Sequence, residues 1–127
     1  MTIKETGAFC PYYHHAVELI GRRWTGAILR AMLVGVSRFS DLTDTIPGLS
    51  DRMLSERLKE LEAEGLTVRS VIPETPVRVE YHLTEKGRAL ESVVEAVSGW
   101  AGEWLANLVE DDSDLQAQGP TPLKAPR

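Results

Sequence analysis

The feature that most constrains this fold is a capped helical segment followed at once by two alternating strands. The stretch SDRMLSERLKELEAEG (50–65) opens with a serine suited to a helix N-cap and ends at a glycine. Its leucines recur at helical spacing and predict one buried stripe: Leu54, Leu58 and Leu61. A tight turn, PGLS (47–50), joins this helix to a shorter apolar-periodic segment at 38–46. We therefore expect a helix-turn-helix whose second helix is 50–65.

The two strands predicted after this helix form a stiff hairpin. LTVRSVI (66–72) and VRVEYHL (77–83) both alternate apolar and polar residues. PETP (73–76) joins them, and its two prolines restrict the backbone of the tip. The residues predicted to face inward are Val77, Val79, Tyr81 and Leu83.

Further helices are predicted on both sides of this unit. PYYHHAVELI (11–20) has a proline at its first turn, and a second helix covers about 24–34. Thr84 is suited to cap one long final helix at about 85–109. Its apolar surface, which includes two tryptophans, exceeds the need of one small domain and indicates dimerisation. The fold class expected is mainly α with a small β-hairpin, a winged helix-turn-helix domain with terminal dimerisation helices.

The formal charge of −5 is concentrated near the end of the chain. Residues 1–90 carry twelve Lys or Arg and twelve Asp or Glu, whereas residues 91–127 carry two basic and seven acidic residues. Because the local field decides whether phosphates are attracted, the acidic total does not exclude a nucleic-acid partner. We expect the domain to occupy 1–109, with an acidic, proline-containing and disordered tail at 110–127.

The side of 50–65 opposite the leucines is predicted to face the major groove of DNA. Arginine pairs bidentately with guanine, and glutamate accepts from the cytosine amino group. Cations at helix starts and on the hairpin, the predicted wing, suit phosphates or the minor groove. The predicted DNA contacts are Arg23, Arg38, Ser50, Arg52, Ser55, Glu56, Arg57, Lys59 and Arg78. Arg57 is expected to project from one flank of the helix.

Charged residues opposite a leucine stripe are more often only a solvated helix face. Several co-occurring features favour a DNA-reading helix over that interpretation. They are the serine cap, the basic first turn, the strands that follow immediately and the rigid hairpin that carries an arginine.

Taken together, these motifs resemble the HxlR family of bacterial transcriptional regulators, which are relatives of the MarR group. The similarity covers about residues 10–105. The motifs are the Cys-Pro pair (Cys10, Pro11), IGRRWT…ILR (20–30), RFSDL (38–42), PGLSDRMLSERLKELEAEGL (47–66) and PETPVRVEYHLTEKGR (73–88). The resemblance implies a homodimeric winged-helix protein that binds a palindromic operator in double-stranded DNA. It also implies dimerisation through the first and last helices.

Cys10 is the candidate sensor of electrophiles or oxidants. The resemblance implies that a cysteine at this position sometimes has that role, and a helix N-terminus stabilises a thiolate. The competing interpretation is a small buried interface residue, since free cysteines are often simply packed. With a single cysteine in the chain, a switch requires alkylation, a mixed disulfide or a bridge between two copies.

A second regulatory hypothesis is an aromatic small molecule bound in the dimer interface. The candidate pocket residues are Tyr12, Tyr13, Trp100 and Trp104. Aromatic residues at helical spacing are more often core. A winged-helix module used only for protein–protein contact is a further alternative.

Other function classes receive little support from the sequence. Cys10, His14 and His15 are spaced poorly for zinc, so we expect no metal and no cofactor. No nucleophile–base pair or glycine-rich phosphate loop indicates an enzyme. No apolar run approaches the length of a membrane helix, so no membrane partner is expected. The single cysteine and the absence of a signal-peptide pattern predict a cytoplasmic protein.

Overall fold

The computed structural model describes residues 2–108. The helices are α1 (Ile3–Thr6), α2 (Pro11–Ile20), α3 (Thr25–Leu33), α4 (Phe39–Thr45), α5 (Asp51–Ala63), α6 (Glu85–Arg88) and α7 (Glu91–Trp104), followed by a 3₁₀ turn at Ala106–Leu108. The strands β1 (Thr67–Ile72) and β2 (Arg78–Leu83) form one antiparallel sheet. The predicted tail lies outside the described residues. None of the described helices is long and apolar enough to cross a membrane.

The core lies where α3, α4, α5 and the hairpin meet. The predicted leucine stripe is confirmed, because Leu54, Leu58 and Leu61 are all buried. Ile28 and Leu29 of α3 are buried in the same cluster. Burying each such side chain contributes about 1.5–3 kcal/mol. This apolar contact decides which side of α5 points inward.

Both ends of α5 are closed as the sequence predicts. The N–H of Met53 donates to Ser50 Oγ over 3.1 Å, which caps the first turn. At the other end Gly65 has a φ of +76°, a left-handed conformation that favours glycine. The N–H groups of Gly65 and Leu66 donate to carbonyls of the last turn, which is a Schellman arrangement. The helix therefore has a defined start and stop.

The hairpin pairs in register from Thr67 opposite Leu83 to Ile72 opposite Arg78. Tyr81 is buried, and its N–H donates to the Ser37 carbonyl oxygen over 2.7 Å. The prediction that Val77 faces inward is wrong, since its side chain is 61% exposed. Val77 precedes the first residue of β2, so it belongs to the tip and has left the core.

The single long terminal helix predicted at 85–109 is also wrong. Thr84 caps only the short helix α6, accepting a hydrogen bond from the N–H of Gly87. At Leu90 the N–H donates to the Gly87 carbonyl instead of continuing the α-helical ladder. Gly87 is a poor helix former, and it is buried against the backbone of Leu66, between α5 and β1, and against the Leu83 side chain. The chain therefore turns before α7 begins.

The outer helices leave apolar side chains exposed. Neither α2 nor α7 contributes a fully buried residue. Trp100 and Trp104 are 55% and 63% exposed, and Tyr12 and Tyr13 are more exposed still. The short helix α1, which the sequence analysis did not predict, adds the exposed Ile3. Residues 2–108 thus form a packed centre and two outer helices whose apolar faces are exposed within this part of the chain.

Replacing Gly87 with alanine should destabilise the protein by about 1–3 kcal/mol, because an added Cβ would overlap the Leu66 carbonyl oxygen. Urea denaturation followed by circular dichroism measures the change. Gly26→Ala is the matched control, since a Cβ there meets only ordinary contact distances. Equal stability of the Gly87→Ala variant and the wild type would contradict this packing.

Candidate nucleic-acid interface

The exposed side of α5 presents the polar residues predicted to read bases. The Arg52 side chain is 90% exposed and lies 3.6 Å from the Glu56 carboxylate, measured from Nε to Oε1. Lys59 is exposed one turn further along, and Ser55 is half-buried beside it. Because the leucine stripe is buried on the other side, these four side chains share the outward face. The arrangement offers donors and an acceptor to a ligand that approaches α5.

Ser50 has a structural task within this face. Its hydroxyl oxygen accepts the Met53 N–H, so the residue positions the start of α5. Its own hydroxyl hydrogen is still free to be donated to a ligand. The predicted contact between Ser50 and DNA therefore stays a prediction that is compatible with the cap.

A groove of about 680 Å³ separates α5 from the hairpin. Phe39 and Tyr81 line it, with ring centroids 6.4 Å apart. The cations that line it are Arg38, Lys59, Arg69 and Arg78. Arg69 was not among the predicted site residues. It lies opposite Tyr81 in the sheet register and so shares the face of the hairpin turned toward α5.

Arg78, the predicted wing contact, is engaged with two carboxylates. Its guanidinium lies 3.3 Å from Glu74 Oε1 and 2.8 Å from Glu80 Oε2. The contact to Glu80 is an ion pair without hydrogen-bond alignment, since no group within residues 2–108 satisfies the hydrogen-bond geometry at Arg78 Nε. A contact of Arg78 with DNA stays a prediction, but its charge is largely balanced within the hairpin.

The prediction that Arg57 projects from a flank of α5 is wrong. Its side chain is only 12% exposed. Nε donates to the carbonyl oxygen of Arg23 over 2.9 Å, and Nη1 pairs with Glu60 Oε2 at 2.9 Å. Arg22 approaches the same carboxylate oxygen at 3.4 Å. Arg57 thus fastens α5 to the segment between α2 and α3.

That segment has an unusual backbone. Trp24 has a φ of +78°, a left-handed conformation that costs a bulky residue about 1–2 kcal/mol. The Arg23 guanidinium lies 5.0 Å from the centroid of the Trp24 ring. The Arg23 side chain is still exposed just before the start of α3, so its predicted contact with a DNA phosphate stays a prediction. The bond from Arg57 stabilises the strained turn.

A second concave surface surrounds Cys10. The groove measures about 690 Å³ and is lined by residues of α1, the 7–10 linker and α2, among them Ile3, Cys10, Tyr12 and Tyr13. Cys10 is half-buried at the N-cap of α2, and its side chain caps no backbone N–H. The predicted pocket is therefore brought together in part, because Trp100 and Trp104 lie outside this lining.

The histidines near Cys10 have carboxylate neighbours. His14 Nε2 lies 3.5 Å from Glu18 Oε1, and His15 Nε2 lies 2.9 Å from Glu64 Oε1. Within residues 2–108, no three or more His, Cys, Asp or Glu side chains group in a way that suits a metal ion.

A helix-turn-helix, a two-stranded wing and a cationic groove between them define the class of winged-helix transcriptional regulators. The HxlR-like helix-turn-helix family matches residues 19–109. The chain belongs to that family.

Named relatives agree with this class. The chain is 51% identical over 96 residues to the HTH-type transcriptional regulator YvaP of Bacillus subtilis, covering 76% of this chain and 89% of YvaP. It is 47% identical over 95 residues to the transcriptional regulator YodB of the same organism, covering 75% and 85% of the two chains.

Solved structures show the same fold. The reduced form of YodB from B. subtilis superposes with a TM-score of 0.67 at 47% identity, covering 76% of this chain and 94% of that chain. The redox regulator HypR in its oxidised form gives 0.68 at 37% identity, covering 74% and 96%. The expected winged-helix fold and regulator family are confirmed.

Arg57→Ala should destabilise the protein by about 1–3 kcal/mol, because it removes the bond to Arg23 and deprives Glu60 of its nearest cation. Urea midpoints at constant slope measure the loss. Arg52→Ala is the control and should change stability by less than about 0.5 kcal/mol, since that side chain is exposed. If the two variants unfold alike, Arg57 does not fasten the helix.

Proposed function

We propose that the chain is a homodimeric, sequence-specific DNA-binding regulator whose helix α5 enters the major groove. The observation that supports this proposal is the outward face of α5, which lies opposite a fully buried leucine stripe. This face carries Arg52, Ser55, Glu56 and Lys59. The capped ends hold this helix at a defined length, and the hairpin lies beside it as a wing. Direct readout requires this kind of rigid presentation of donors and acceptors.

The dimer is proposed from the apolar faces of the outer helices. Soluble monomers rarely expose large contiguous apolar surface, and aromatic residues favour interfaces. The exposed side chains on these helices include Ile3, Tyr12, Tyr13, Val97, Trp100 and Trp104. A two-fold dimer would place its two α5 helices about one DNA turn apart, which suits a palindromic operator.

The first test is duplex binding by the purified protein over a series of salt concentrations. Genomic fragments captured by the protein supply the candidate operator. If DNA is the partner, log affinity should fall with log salt by about 0.9 for each neutralised phosphate. The complex should contain two chains per operator. A winged-helix module used only for protein contact would show no salt-dependent affinity for any duplex.

Arg52→Ala should cost about 1–3 kcal/mol on the operator and relax specificity at one base position, if its exposed guanidinium reads a base as we propose. Fluorescence anisotropy on the operator and on an unrelated duplex measures both effects. Arg88→Ala, an exposed arginine on α6, controls for loss of one positive charge. Equal losses on both duplexes would make Arg52 a phosphate contact instead.

We also propose that DNA binding is controlled by covalent modification of Cys10. The thiol is half-buried in a groove with Tyr12 and Tyr13, so a planar electrophile could stack beside the sulfur as it reacts. Solved structures of the relative YodB are described as reduced, diamide-treated and quinone-bound, which supports thiol chemistry in this family. Addition of the thiolate to a quinone forms a carbon–sulfur bond and needs no second cysteine.

Treatment with a quinone should weaken operator binding by the wild type and leave Cys10→Ser unaffected. Anisotropy measures binding, and intact-protein mass spectrometry measures how completely the thiol is modified. Unchanged binding after complete modification would contradict the switch. An equal response in the Cys10→Ser variant would indicate a non-covalent aromatic ligand in the same groove.

A further inference from the structure

The cations around the groove between α5 and the hairpin differ in how much of their charge is balanced. Arg38, Lys59 and Arg69 have no carboxylate within ion-pair distance among residues 2–108. Arg78 has two, Glu74 and Glu80. Within residues 2–108, the groove lining therefore contains three cations without an ion-pair partner and one carboxylate, Glu62, whereas the positive charge of Arg78 near the hairpin tip meets two negative charges.

Arg69 is held in place by the sheet. It lies in the middle of β1, opposite the buried Tyr81, whose own N–H is bonded to Ser37. Its Cβ therefore points to the hairpin face that lines the groove, and its exposed side chain is free to extend along it. Because the strand is paired, the backbone that carries Arg69 is already ordered before any ligand binds, which lowers the ordering cost of binding.

The geometry suits one backbone strand of a duplex. When α5 occupies a major groove, a phosphate strand must run along the flank of that helix, where this groove opens. Ser40 and Ser55 also line the groove and provide hydroxyl donors beside the three cations. Phosphate oxygens are pure acceptors, so the carboxylates around Arg78 would repel them. The three cations and two hydroxyls of the groove lining outnumber the one carboxylate described there, Glu62, and would hold them.

Building on the function proposed above, we propose that Arg69, with Arg38 and Lys59, holds a DNA backbone phosphate in this groove. Glu74 and Glu80 pair with Arg78, so the Arg78 guanidinium does not hold this phosphate. The affinity for the backbone thus comes from the strand β1 and the neighbouring helices, and the carboxylates paired with Arg78 near the hairpin tip limit non-specific affinity.

The test measures affinity and salt slope for the operator and an unrelated duplex in matched variants. Arg69→Gln should lower affinity about tenfold for both duplexes and reduce the salt slope by about 0.9. Arg69→Lys, which keeps the charge, should retain the wild-type slope. Arg88→Gln on α6 loses the same charge outside the groove and should leave both quantities unchanged.

The carboxylates give an effect of opposite sign. Glu74→Gln should raise affinity for both duplexes about threefold, the size of one exposed charge interaction. Glu85→Gln, an exposed carboxylate on α6, should have no such effect.

The failures of the two proposals are distinguishable. If the wild type binds no duplex at any salt concentration, the proposed function fails and this inference with it. If the wild type binds with a clear salt slope while Arg69→Gln matches Arg88→Gln, only this inference is overturned. A loss confined to the operator would also overturn it, because Arg69 would then read a base. A tighter Arg69→Gln variant or a weaker Glu74→Gln variant would do the same.

Discussion

Burial of the leucine stripe of α5 is the constraint on which the other features depend. Leu54, Leu58 and Leu61 leave the helix only one stable orientation on the core, because rotation would expose all three at once. That orientation sets which polar residues point outward. The caps at both ends then determine how many turns are presented. The chemistry of the outward face thus follows from an apolar contact on the opposite side.

The arginines of this chain do different work according to their neighbours. Arg57 is nearly buried and bonded to a backbone carbonyl, so it stabilises the position of α5. Arg52 is almost fully exposed and has one carboxylate neighbour at 3.6 Å, so most of its donors remain accessible. Arg78 is balanced by two glutamates. Counting positive charges along the sequence therefore overstates the cationic surface, whereas counting uncompensated ones locates it.

Sequence patterns predicted the parts that depend on local chemistry. The Ser50 cap, the leucine spacing, the Gly65 stop and the two alternating strands all follow from neighbouring residues. The errors arise where distant segments meet. Arg57 points inward because of a carbonyl contributed by Arg23, 34 positions away. The turn at Leu90 follows a glycine that packs against the backbone of Leu66, 21 positions earlier in the chain. Arg69 became visible as a groove residue only once the register with Tyr81 was known.

The junction between α5 and α6 has a mechanical consequence. Thr84 Oγ1 donates to the Gly65 carbonyl oxygen over 2.6 Å, and Lys86 Nζ donates to that of Glu64 over 2.7 Å. His15 of α2 contacts the Glu64 side chain at the same corner. The rear of α5 is therefore coupled to segments that lead into both outer helices. A rearrangement of those outer helices would therefore displace the C-terminal end of α5 and change the angle at which its N-terminal end is presented.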